Sequence, residues 1–218
     1  MLEKLSYYDV IGIVVPGTLL VGWIPVCFPV IVSRTQVFTF PEAFAFVVLI
    51  ALVFFIGHLV QALSSATQNI LYFTWGGRPS DTALEKGLGD YFPKDSAKRI
   101  RGILEDKIGK ETDAHSLFLY ALQQADSAEK SRVSTFNGLY AYHRVLLMLI
   151  ILAFILFLTS KFWGAVESWT TAEFVVSLVI MILLLVLFWY RAKQRAYYFV
   201  REVLLTAERV LTQQGGDK

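Results

Sequence analysis

The sequence predicts an all-α fold: a polytopic membrane protein, built as a four-transmembrane-helix bundle with a helical cytoplasmic loop domain and a C-terminal cytoplasmic helix. Three observations carry that expectation. Of 218 residues, 56% are apolar and only 17% are charged, where soluble domains average about 25% charged. The apolar residues gather into uncharged runs instead of recurring on the period of a half-buried surface. The segments between those runs differ widely in Lys and Arg content, which sets an orientation.

The uncharged stretches run from Val10 to Val32, Phe44 to Leu63, Val145 to Ser160 and Phe174 to Tyr190, where about 20 residues cross about 30 Å of hydrocarbon. The first two are long enough outright. The third and fourth are shorter, and each gains length when Arg144 or Arg191 snorkels. The first stretch is too long for a signal-peptide core, has no small-residue cleavage site and precedes further spans, so it is expected to stay in the chain. The segments 34–43 and 161–173 carry one basic residue each, whereas 64–144 carries eleven and the tail after Tyr190 carries six. The basic-rich segments belong in the cytoplasm, which places both termini there, in a multi-pass protein of the cell inner membrane. Trp163 and Trp169 then fall at an outer aromatic belt. The expected organisation is a transmembrane hairpin over 1–74, its second helix extended into the cytoplasm, and a cytoplasmic helical loop over 75–129. A second hairpin over 130–190 and a cytoplasmic amphipathic helix and tail over 191–218 follow.

Within the loop, Gly76, Gly77 and Pro79 form a breaker cluster. Helix starts are expected at Asp81 and at Asp95-Ser96, a stop at Gly109, and another start at Asp113. Ala97, Ile100, Ile103, Leu104 and Ile108 recur at helical spacing, as do Leu117, Leu119, Tyr120 and Leu122 in the next helix. Over 64–144, eleven basic residues against ten acidic ones suit a solvated helical cap and give no basic bias for direct nucleic-acid binding. After the fourth span, Tyr197, Val200, Leu204, Ala207 and Leu211 make an apolar stripe that must bury, either on the chain's own loop helices or on a neighbouring subunit. Arg191, Lys193 and Arg195 sit where they anchor topology at anionic headgroups or hold a specific lipid.

One polar stripe stands out. His58, Gln61, Ser65, Gln68 and Tyr72 are spaced by three, four, three and four residues and share one helical face, which Ala51 and Phe54 continue in apolar form. Polar side chains in a span face a bundle interior or a wet cavity. The stripe therefore reads either as helix-to-helix hydrogen bonding, worth about 0.6 kcal/mol per contact, or as the wall of a hydrated pore with His58 as its pH-sensitive group. A single His without a second ligand at metal spacing supports no metal site.

The first span contains Pro16-Gly17, Pro25 and Pro29, besides Gly12 and Gly22. This pattern predicts a kink that packs closely through glycines, or a gating hinge. Asp9 stands at the mouth of that span, where it can cap the helix N-terminus or join Arg144 and Arg191, with His143, in an ion-pair ring. The lone Cys27 lies in an apolar run, away from any disulfide framework. No HExxH, GxSxG, phosphate-binding glycine loop or CxxC occurs, so neither an enzyme nor a cofactor is expected.

Tyr8-Asp9 with Gly12 and Pro16-Gly17, then Gly57-His58 with Gln61, then Gly76-Gly77 with Pro79-Ser80, resemble a group of small bacterial membrane proteins similar to the membrane components of anti-phage defence systems. The resemblance covers roughly the first eighty residues. It implies a homo-oligomeric multi-pass effector that alters membrane integrity when a cytoplasmic protein partner or signal arrives, and it brings no catalytic residues. A constitutive channel or transporter, and a scaffold that recruits a soluble enzyme, are the alternatives.

Overall fold

The structure, a computed structural model, describes residues 7–30, 41–128, 131–162 and 170–216, and within them all side chains except those of 7–9 and 214–216. Every regular element among the described residues is helical. In order these are α1 (Tyr7–Cys27), α2 (Glu42–Ala66), α3 (Gln68–Trp75), α4 (Pro79–Lys86), a 3₁₀ turn at Gly89–Tyr91, α5 (Lys94–Ile108), α6 (Ala114–Asp126), α7 (Val133–Phe162) and α8 (Thr171–Gly216). Four of them, α1, α2, α7 and α8, are long and apolar enough to cross a membrane. The third and fourth predicted spans lie inside much longer helices, of 30 and 46 residues. Trp163 and Trp169 lie outside the described residues, as do residues 31–32 of the first predicted span.

The chain divides into two compact units, Met1–Ala66 with Ala141–Arg191, and Thr67–Tyr140 with Ala192–Lys218. The boundaries thus fall after Ala66, Tyr140 and Arg191, where the sequence suggested 74, 129 and 190.

The first unit is organised by a close approach of α1 and α2. A Cβ on Gly17 would run into the backbone carbonyl of Val53, and one on Gly57 into that of Ile13, so only glycine permits this contact. Around it Leu20, Val60, Val145, Met148 and Leu149 form one buried cluster, and Cys27, Phe157 and Met181 another. The Trp23 indole donates to the Ala153 carbonyl at 3.0 Å, and the Phe157 and Phe174 rings stack at 4.9 Å. Outward, the unit presents large apolar side chains such as Phe55, which is 67% exposed. A water-facing surface does not carry such a continuous apolar coat.

The predicted kink is not a break: α1 continues as one helix through Pro16 and Pro25, and Pro29 lies beyond its end. Each proline lacks the N–H that would bond the carbonyl four residues earlier. The helix nevertheless goes on, because packing against α2 holds it where propensity does not.

The second unit has a core of the kind found in water-soluble helical proteins. Ala83 and Leu84 of α4, Ala97, Ile100 and Leu104 of α5, and Leu117, Phe118, Ala121 and Ala125 of α6 are buried together with Val200, Val203, Leu204, Ala207 and Leu211 of α8. The C-terminal stripe therefore packs on the chain's own loop helices, which resolves the choice left open by its periodicity. Asp113 caps α6, accepting from the Ser116 amide at 3.0 Å and its hydroxyl at 2.7 Å, and Gly109 ends α5, both as expected. Two starts differ. α4 begins at Pro79, because proline fits the first helical turn, where its missing N–H has no partner anyway, and α5 begins at Lys94 with the extended Pro93 as its N-cap. Asp81 and Asp95 then lie within the first turns.

Candidate functional site

The predicted polar stripe does not lie on one helix. α2 ends at Ala66, Thr67 adopts φ −90° and ψ 3°, and α3 starts at Gln68. The local cause is the run Ser64-Ser65-Ala66-Thr67. The Ser65 hydroxyl donates to the Gln61 carbonyl at 3.1 Å, a back-bond that competes with the helical ladder and loosens it. His58, Gln61 and Ser65 thus belong to the first unit, and Gln68 and Tyr72 to the second.

In the first unit, the buried face of α2 is Gly57, Val60 and Ser64, one residue before the predicted stripe at every step. One residue is about 100° around a helix, so His58, Gln61 and Ser65 border the packed face and do not form it. Arg144 of α7 reaches this border: its Nε donates to Ser64 Oγ and its Nη2 to Ser65 Oγ, both at 3.2 Å. Sequence reasoning assigned Arg144 to an ion-pair ring with Asp9 and Arg191, and it missed Ser64 as a partner. Arg191 is exposed. Asp9 falls in the first turn of α1, with its side chain outside the described residues. His58 is exposed, and among the described residues its imidazole and the Gln61 carboxamide make no hydrogen bond or ion pair.

In the second unit, Gln68 Nε2 donates to the Tyr72 hydroxyl and, at 3.3 Å, to that of Tyr140, and the two tyrosine oxygens lie 3.2 Å apart. Here the stripe is half-buried. These residues adjoin a cavity of about 60 Å³ lined by Tyr72, Arg78, Tyr140 and Phe199 among others, room for a few waters. Beside it, Arg78 Nη1 lies 3.0 Å from His115 Nδ1, which is 3.9 Å from Asp81 Oδ1, and Ser80 Oγ donates to the same Asp81 oxygen at 2.8 Å. A guanidinium only donates, so the His115 ring is the accepting partner in this contact. Residues 37 apart in sequence meet here, and no local spacing announces them.

Of the basic trio after the fourth span, Lys193 Nζ lies 5.6 Å from the centre of the Tyr197 ring, and Lys193 and Arg195 are half-buried. Among the described residues no group of three His, Cys, Asp or Glu could hold a metal ion. An apolar hollow of about 370 Å³ between α1, α7 and α8 is lined by Leu19, Trp23, Ala153, Ile180 and Met181, among others.

The fold and these sites define a class: a chain helical throughout its regular elements among the described residues, with four helices long and apolar enough to cross a membrane and a second compact helical unit with its own buried core. Compared with known protein families, curated proteins and solved structures, the chain matches none.

Proposed function

We propose that this chain is a homo-oligomeric, four-span inner-membrane protein in which α2 faces other copies. It acts as the effector or membrane-anchored component of a bacterial anti-phage defence system and depolarises the membrane when triggered from the cytoplasm. The observation that carries the oligomeric reading is the placement of His58 and Gln61, an exposed imidazole and a carboxamide without a partner among the described residues, within the apolar helix α2. Such groups are costly against lipid and normally face protein or water. A ring of subunits supplies either, and a ring of His58 side chains around an aqueous path is the arrangement by which α2 conducts. The defence context rests on the resemblance of the first eighty residues. The second unit, with its own core and its Lys and Arg content, is the cytoplasmic sensing surface in this reading.

Expression in cells tests the proposal. A triggered effector is harmless alone and depolarises the membrane on phage infection, and His58→Leu or Gln61→Leu abolishes that response without loss of protein. A constitutive channel depolarises without a trigger or shows saturable flux of one solute. A scaffold never depolarises, and either of those outcomes overturns the proposal.

A further inference from the structure

Helix α3 is built inside out for an element bathed in water. Its polar side chains Gln68 and Tyr72 turn inward to Tyr140, and Trp75 is buried beside Tyr72, their ring centres 5.7 Å apart. Outward it presents Ile70, 64% exposed, and Phe73, 86% exposed, one helical turn apart. No other large apolar side chain described in its unit is as bare; Leu119 comes next at 50%. Asn69 and Thr74 flank the pair, and the Thr74 hydroxyl is satisfied by the Leu71 carbonyl at 2.7 Å.

The helix cannot be far from the bilayer. Only Thr67 separates it from the end of α2, and the seven residues from Ala66 to Phe73 span at most about 25 Å even when fully extended. Its C-terminus is fixed by Gly76, left-handed at φ 85°, whose N–H bonds the Phe73 carbonyl, and by Gly77, whose N–H bonds that of Tyr72 at 2.9 Å. The outward direction of Phe73 is thus held from both ends, by the tyrosine cluster and by the glycine cap.

We propose that α3 is a membrane-surface anchor: Ile70 and Phe73 insert into the headgroup–acyl boundary of the bilayer next to the end of α2. Interfacial helices bind in this way, with a short apolar face at the boundary and an aromatic ring at headgroup depth. The inference rests on the reading of α2 as a span and is independent of any pore.

The test places an environment-sensitive fluorophore on Phe73→Cys in the full chain, reconstituted in vesicles of phosphatidylethanolamine and phosphatidylglycerol. Phe55→Cys on the outward face of α2 is labelled as a second site. Cys27, 2% exposed, stays in place, and the unsubstituted protein labelled in parallel sets the background. The anchor predicts that a lipid-borne nitroxide near the headgroup quenches the Phe73 label severalfold more than aqueous iodide does. Quenching by iodide at Phe73 with lipid quenching at Phe55 overturns the anchor and leaves the span intact. Iodide quenching at both sites overturns the span as well. Protection from both quenchers at Phe73 shows that protein, a second copy of the chain, covers this face, and that also overturns the anchor.

Discussion

Single side chains decide the first unit. Because added Cβ atoms on Gly17 and Gly57 would meet opposing backbone and not the ends of flexible side chains, neither contact yields without moving a helix. Gly57→Leu is expected to cost the helical pair about 1–3 kcal/mol, the usual range for overpacking, and to lower its thermal midpoint in detergent. Gly22→Ala, with nothing within 4 Å of the new methyl, stays within about 0.5 kcal/mol of the parent. In the second unit the Ser116 hydroxyl and then its amide bond the Asp113 carboxylate and hold its pKa below the ordinary carboxylate value. The bonded form is the charged one. Its contribution is therefore complete above the pKa of the unfolded carboxyl and is lost as pH falls through the lowered folded value. Asp113→Ala is expected to lower the melting midpoint at neutral pH, and circular-dichroism melts should show that difference closing on acidification. A gap that persists in acid would mean the cap acts through something other than its charge.

Among the elements, α8 shows what periodicity can and cannot supply. Val200, Leu204, Ala207 and Leu211 were legible as a stripe, and Gly109 and Asp113 as a stop and a start, because each signal is local. What the stripe packs against was not legible, since its partners on α5 and α6 lie some hundred residues away in sequence. Burial now assigns it: Leu204→Ala is expected to cost about 2–5 kcal/mol, the range for a large-to-small change in a closed core, and to unfold α4–α6 with it. The same limit explains the polar stripe of α2. Two neighbouring stripes ran down that helix, 57/60/64 and 58/61/65, and polarity drew attention to the second. The first is the packed one, but Gly57 and Ser64 are small and carry little hydropathic signal, so their role emerges only from the approach of Ile13 and the reach of Arg144. The break at Thr67 was hidden for a related reason, because a single turn between two helical patterns leaves the spacing of three and four intact.

For the whole molecule, the two units differ in what they bury and what they expose. One turns Phe55 and its neighbours outward, while the other buries Ile100, Leu104, Leu117 and Leu204 and is charged outside. All four apolar runs were readable from composition, because lipid demands long uncharged stretches. The side of the membrane on which each unit sits is proposed from Lys and Arg asymmetry alone, and a reporter fused after Lys218 is expected to be active only as a cytoplasmic fusion; periplasmic activity would reverse the topology or change the number of spans. The proposed function depends on His58 and Gln61 meeting water or another copy within the membrane. Membrane depolarisation on phage infection, compared between cells holding the parent and the His58→Leu protein at equal subunit count, tests this most directly. The account predicts depolarisation with the parent that is lost in His58→Leu while the oligomer persists. Depolarisation of equal size in both would contradict it, because α2 would then not line the path.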